Sequence, residues 1–157
     1  MDQIHKEKYT ILYVDDEQSS LNAFENLYRR KFNIITAMSG QEGLEILEAE
    51  PVQVIITDQR MPEMTGIEFL IKVKNKWPDI KCILFTAFDE KEVIKNAINE
   101  AGIYWYVNKP FEPDQLEQII TNASNAYHTD NKLKESEEKF RGVFESMTDV
   151  FTRSDMN

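Results

Sequence analysis

The stretch Val52-Gln53-Val54-Ile55-Ile56-Thr57-Asp58-Gln59-Arg60-Met61-Pro62 opens with nearly continuous apolar residues and ends in a carboxylate at a turn. A short apolar run of this kind is what a parallel strand covered on both faces looks like. Cys82-Ile83-Leu84-Phe85-Thr86 repeats the pattern. Working outward, the runs Tyr9–Val14, Asn33–Ala37, Val52–Thr57, Lys81–Thr86 and Tyr104–Asn108 read as five strands. Amphipathic patterns lie between them. Leu21, Phe24, Leu27 and Tyr28 mark the first helix, and Gly43, Leu44, Ile46 and Leu47 the second. Ile67, Phe69, Leu70 and Val73 mark the third, and Val93, Ile94, Ala97 and Ile98 the fourth. Ser39-Gly40-Gln41-Glu42 carries the signature of a helix start, an N-cap hydroxyl with an acid three residues on. Pro51 and Pro78 stop the helices that precede the third and fourth strands. Alternating strand and helix predicts an α/β fold, a doubly wound five-stranded parallel sheet with right-handed crossovers and helices on both faces. In such folds sites form outside the carboxyl ends of the strands.

Composition bounds the function. The chain has 157 residues, about one domain, with 18 Lys+Arg against 28 Asp+Glu and a net charge of −10. An acidic balance disfavours nucleic acid as a partner, because binding phosphates needs a basic face. No apolar run approaches the roughly 20 residues of a spanning helix, and the opening MDQIHKEKYT has no signal-peptide core. One cysteine, Cys82, excludes an internal disulfide, and with two histidines it makes a structural zinc site a poor reading. These features predict a cytoplasmic protein. Cys82 falls inside an apolar strand pattern and reads as an inert core residue, while His5 and His128 read as solvated.

The C-terminal stretch has a different texture. Ile119, Ala126, Leu133, Phe140 and Met147 recur every seven residues, and the companion row Leu116, Ala123, Asp130, Glu137, Phe144 is polar in the middle. Two readings follow: a helix that leaves the domain as a solvated linker, or one that pairs with a second copy as a coiled-coil homodimer. Asp149-Val150-Phe151-Thr152-Arg153 resembles a strand begun just before the sequence stops, as if a second domain had been cut.

The predicted strand ends gather the chemistry. The first ends in Asp15-Asp16-Glu17, the third in Asp58, the fourth in Thr86 and the fifth in Asn108-Lys109-Pro110. Packed carboxylates raise one another's pKa unless a cation sits among them. Carboxylate oxygens without imidazole or thiolate suit Mg²⁺ or Mn²⁺. Aspartate can act as a phosphoryl nucleophile, and phosphoryl transfer calls for positive charge on the equatorial oxygens. Lys109 supplies that charge, and the Thr86 hydroxyl can donate to one of those oxygens.

Asp15-Asp16, Thr57-Asp58-Gln59-Arg60-Met61-Pro62-Glu63-Met64-Thr65-Gly66, Thr86-Ala87 and Lys109-Pro110-Phe111 together resemble the receiver domain of two-component response regulators, over roughly residues 8–127. That resemblance implies a flavodoxin-like (βα)5 fold with the last helix extended, and a phosphorylation-dependent switch. Asp58 would be the phosphoacceptor. Asp16, Asp58 and the Arg60 backbone carbonyl would bind Mg²⁺ directly, and Asp15 through a water. Thr86 and Tyr106 would be the switch residues, and the Lys109–Pro110 bond would be cis. The phosphoryl donor would be a sensor histidine kinase or a histidine phosphotransfer protein. The signal would leave through the face made by the fourth helix, fifth strand and fifth helix. Arg60 and Phe88 occupy the positions that in this family line the path of the attacking water. An arginine on the phosphoryl oxygens and a phenylalanine shielding them predict slow self-dephosphorylation.

Glu137-Glu138-Lys139-Phe140-Arg141, Phe144-Glu145-Ser146 and Asp149-Val150-Phe151 resemble the opening of a PAS domain. This layout implies a receiver over 8–127, a helical linker over 128–147 and a truncated PAS start over 148–157. The full-length protein would then carry a further effector, a histidine kinase or a cyclic-dinucleotide enzyme. Two other functions compete. A phosphatase with an aspartate nucleophile needs an acid two residues on, and Gln59-Arg60 lacks it. A receiver-like module that binds partners without phosphorylation predicts a damaged acidic pocket, and here all the positions are intact.

Overall fold

The computed structural model describes residues 8–87 and 91–144. Phe88, His5, the segment 145–157 and the side chains of the heptad positions from Leu133 onward lie outside the described residues. Two compact units divide the chain between Tyr127 and His128.

The first unit alternates strand and helix: β1 (Thr10–Val14), α1 (Gln18–Tyr28), β2 (Asn33–Ala37), α2 (Gly40–Ala49), β3 (Val54–Asp58), α3 (Gly66–Lys76), β4 (Lys81–Thr86), α4 (Lys91–Glu100) and β5 (Trp105–Asn108). The last helix, α5, runs Pro113–Phe144. All strands pair in parallel in the order β2-β1-β3-β4-β5. The chain is the expected doubly wound, flavodoxin-like α/β fold.

Strand residues alternate between two cores. On one face Leu12, Val14, Ile55, Cys82 and Leu84 pack with Leu47 of α2 and Phe69, Leu70 and Val73 of α3. On the other, Ile11, Tyr13, Val54, Ile56, Ile83 and Phe85 pack with Leu21, Phe24 and Tyr28 of α1 and with Leu116, Ile120 and Ala123 of α5. The three central strands are buried on both sides, which is why β3 and β4 read as continuous apolar runs.

Local signals act as expected at α2, where the Ser39 hydroxyl accepts from the Glu42 N–H. A full capping box stands at α3, with Thr65 and Glu68 bonded reciprocally. Two of the residues that mark the helices stand outside the cores. Leu27 is half exposed, because a position six residues after Leu21 is turned well off the stripe formed by Leu21, Phe24 and Tyr28. Ile98 is likewise half exposed, near Trp105 and Tyr106 at the open edge of the sheet. Among the described residues no helix is long and apolar enough to cross a membrane.

Candidate functional site: an acidic cluster at the carboxyl edge of the sheet

Register brings the predicted residues to one edge. Val14 is level with Thr57, so Asp15 and Asp58 leave adjacent strands side by side. Asp58 pairs with Phe85 and Thr86 with Asn108, which sets Lys109 just beyond the end of β4. The Lys109 N–H donates to the Thr86 carbonyl (3.0 Å). The Lys109–Pro110 peptide bond is cis.

Asp15, Asp16 and Asp58 each offer a carboxylate oxygen, and these atoms lie within 4.8 Å of one another. Lys109 Nζ stands 3.0 Å from Asp58 Oδ1. The Asp58 side chain is only 14% exposed. Burial pushes its carboxyl above the usual range and the Asp15 charge adds to this, while Lys109 and the Gln59 N–H pull it back. Three clustered carboxylates, all oxygen donors, fit a hard divalent cation, and one lysine leaves most of their charge uncompensated.

Asp15 is buried, and both of its oxygens are engaged by the protein. The Tyr13 hydroxyl donates to Oδ2 (2.7 Å) and the Glu17 N–H to Oδ1 (3.0 Å). Burial and the bond to Asp15 push the Tyr13 phenol far up, so it remains a donor.

The loop after Asp58 is held by Gln59. Its carbonyl accepts from the Gly66 N–H (3.0 Å) and its side-chain oxygen from the Ile67 N–H (2.9 Å), which ties the loop to the start of α3. Glu63 takes a left-handed turn conformation, φ 70°. Gly66 is required by contact: a Cβ there would stand 2.3 Å from the Asp58 carbonyl oxygen.

Of the residues expected at the site, Asp15, Asp16, Asp58 and Lys109 converge directly. Thr86 is buried at the same edge, its hydroxyl donating to Asn108 Oδ1 (3.0 Å). Arg60 is exposed, two residues into the loop. Tyr106 does not join the cluster; it stands 42% exposed on β5 beside Trp105. Sequence reasoning gave no role to Tyr13, Gly66 or Asn108. Tyr13 carried a usable signal, since it precedes Asp15 by two residues and a strand places such pairs on one side.

Residues 11–121 match the response regulator receiver domain family, and the chain belongs to it. It is 41% identical over 117 residues to the hydrogenase transcriptional regulatory protein HoxA of Cupriavidus necator, covering 74% of this chain and 24% of that protein. It is 34% identical over 115 residues to a cyclic di-GMP phosphodiesterase of Thermotoga maritima, covering 73% of this chain and 30% of the relative. Among solved structures, one described as adenylate cyclase from Rhodopirellula baltica superposes with a TM-score of 0.80 at 28% identity, covering 84% of this chain and 98% of that one. The chain spans about a quarter of the length of HoxA from C. necator and from Bradyrhizobium diazoefficiens. What these relatives share with it is the response regulator receiver domain.

Proposed function

We propose that this receiver domain is a phosphorylation-driven switch that accepts a phosphoryl group on Asp58 from a phosphohistidine of a sensor histidine kinase or histidine phosphotransfer protein. The observation that carries the reading is the largely buried Asp58 carboxylate, 3.0 Å from the Lys109 ammonium within a three-carboxylate cluster. Asp15, Asp16, Asp58 and the Arg60 backbone carbonyl would hold Mg²⁺ (or Mn²⁺), whose role is to neutralise charge on the transferring phosphoryl oxygens.

Asp58 supplies the nucleophilic oxygen; the O–P bond forms as the N–P bond to the partner's imidazole breaks, and the imidazole leaves with its electron pair. Lys109 then pairs with a phosphoryl oxygen in place of the Asp58 oxygen it now holds. The Thr86 hydroxyl exchanges Asn108 for another such oxygen, and Tyr106 follows into the space this opens. The face of α4, β5 and α5 is repacked, a local charge event with a distant readout. Exposed Ile98, Trp105 and Tyr106 support this face as the output surface.

In this reading residues 8–127 are the receiver, 128–147 a helical linker that can pair in a homodimer, and 148–157 the start of a PAS domain. The effector beyond it is a histidine kinase or a cyclic-dinucleotide enzyme. The named activities of the relatives, a transcriptional regulator and a cyclic di-GMP phosphodiesterase, support a receiver that serves varied outputs.

Radiolabelled acetyl phosphate tests the reaction. The protein should take up label only with a divalent cation, and hydroxylamine should release it as inorganic phosphate, the behaviour of an acyl phosphate. Label that survives hydroxylamine, or forms equally in EDTA, would refute an aspartyl phosphate.

A further inference from the structure

On the α1/α5 side of the sheet, an aromatic column runs inward to the acidic cluster. Tyr13 lies between Phe24 of α1 (ring centroids 4.3 Å apart) and Phe85 of β4 (5.8 Å), and Phe85 stacks on Phe111 (5.3 Å). These contacts leave the Tyr13 ring little freedom. Its hydroxyl is thereby delivered to Asp15 Oδ2 at 2.7 Å, in a place where both residues are almost wholly buried. Asp15 follows the last residue of β1, and its other oxygen meets only one donor among the described residues, the Glu17 N–H.

We propose that Tyr13 is a positioning residue of the cation site, its hydroxyl fixing the Asp15 carboxylate and so setting the affinity of the Asp15–Asp16–Asp58 cluster for a divalent cation. The inference rests on the reading of that cluster as the cation site. A ligand-bearing carboxylate held by a donor behind it meets the cation in one prepared orientation. Without the hydroxyl, the buried Asp15 oxygen has to turn toward another donor, and the arrangement that accepts the cation is lost for part of the time. Tyr13 acts through Asp15 and does not itself touch the cation.

The test uses Mn²⁺ as probe, with free Mn²⁺ counted by electron paramagnetic resonance and Mg²⁺ measured by competition. Tyr13→Phe keeps the ring in the column and removes only the hydroxyl, so metal-free melting in EDTA should stay cooperative. Its dissociation constant for Mn²⁺ should rise at least about tenfold. In an Asp15→Asn background the same change should matter by less than about twofold, because the two residues act as one unit. Val73→Ala, in the core on the opposite face of the sheet, is the control for general loosening: it should lower the melting temperature and leave Mn²⁺ affinity in place. Wild-type affinity in Tyr13→Phe, or an equal loss in Val73→Ala, would overturn the role of Tyr13 while the cation site stands. Wild-type protein that binds no Mn²⁺, or binding that survives loss of both Asp16 and Asp58 carboxylates, would overturn the site and the inference together.

Discussion

Gly66→Ala is the sharpest test of how the fold is tied to the site. A Cβ at position 66 would lie 2.3 Å from the Asp58 carbonyl oxygen, 3.1 Å from its carbon and 3.0 Å from Leu84 Cδ1. Leu84 can give a little, but the carbonyl belongs to the last residue of β3 and cannot turn away without breaking the strand end. Inserting one methyl into a packed site costs about 1–3 kcal/mol, and opposition by backbone puts this case near the top of that range. Alanine regains up to about 1 kcal/mol through helix propensity and a stiffer unfolded chain. The net loss should be about 2 kcal/mol. Urea unfolding of the metal-free protein reads it as a lower midpoint at unchanged slope. Gly102→Ala calibrates the result. Gly102 has φ +60°, and its Cβ would meet only the flexible end of Lys74, so the left-handed backbone alone should cost about 1 kcal/mol. If Gly66→Ala were as stable as wild type, or milder than Gly102→Ala, the close approach of α3 to Asp58 would be refuted.

Other outcomes follow from single residues. Burial pushes the Cys82 thiol up to about 12 from 9.0, so the neutral form is favoured by folding; that contribution is complete below pH 9 and is lost as pH rises toward 12. Ellman's reagent near neutral pH should therefore label Cys82 at once in denatured protein and only as fast as the native protein unfolds; prompt native labelling would contradict its burial. Thr65→Ala removes the hydroxyl that accepts from the Glu68 N–H, leaving only the backbone N–H of position 65 on the Glu68 carboxylate, and should cost about 1 kcal/mol in thermal or urea unfolding, with no loss refuting the cap. Wild-type protein should lose its phosphoryl group more slowly than an Arg60→Asn, Phe88→Glu double variant, and the reverse order would sink the proposed shielding.

The central strands were legible because burial on both faces leaves a continuous apolar run that sequence shows directly. Asn33–Ala37 and Lys81–Thr86 coincide with β2 and β4. The third run shifted: Val52 and Gln53 fall outside β3 and Asp58 falls inside it. There Gln53 already bonds Thr10 through its backbone and its side-chain amide, so pairing begins before regular strand geometry does. The carboxylates and Lys109 were legible as a set because parallel strands deliver their carboxyl ends to one edge. Tyr13 was overlooked despite standing two residues before Asp15, because a tyrosine in an apolar run reads first as packing. Gly66 stood in a quoted motif without a reason, since contact between a helix start and a strand carbonyl is a tertiary fact. Leu27 shows the converse limit: an apolar residue off the buried stripe is indistinguishable from its neighbours by composition alone.

The central claim is that Asp58 takes the phosphoryl group. Intact-protein mass after incubation with acetyl phosphate and Mg²⁺, beside an Asp58→Ala control and a sample in EDTA, tests it most directly. The account predicts a single added phosphoryl group in the wild-type protein with Mg²⁺, and none in either control. A folded wild-type protein that gains no mass, or an Asp58→Ala variant that gains the same mass, would contradict it and favour a receiver-shaped module that works without phosphorylation.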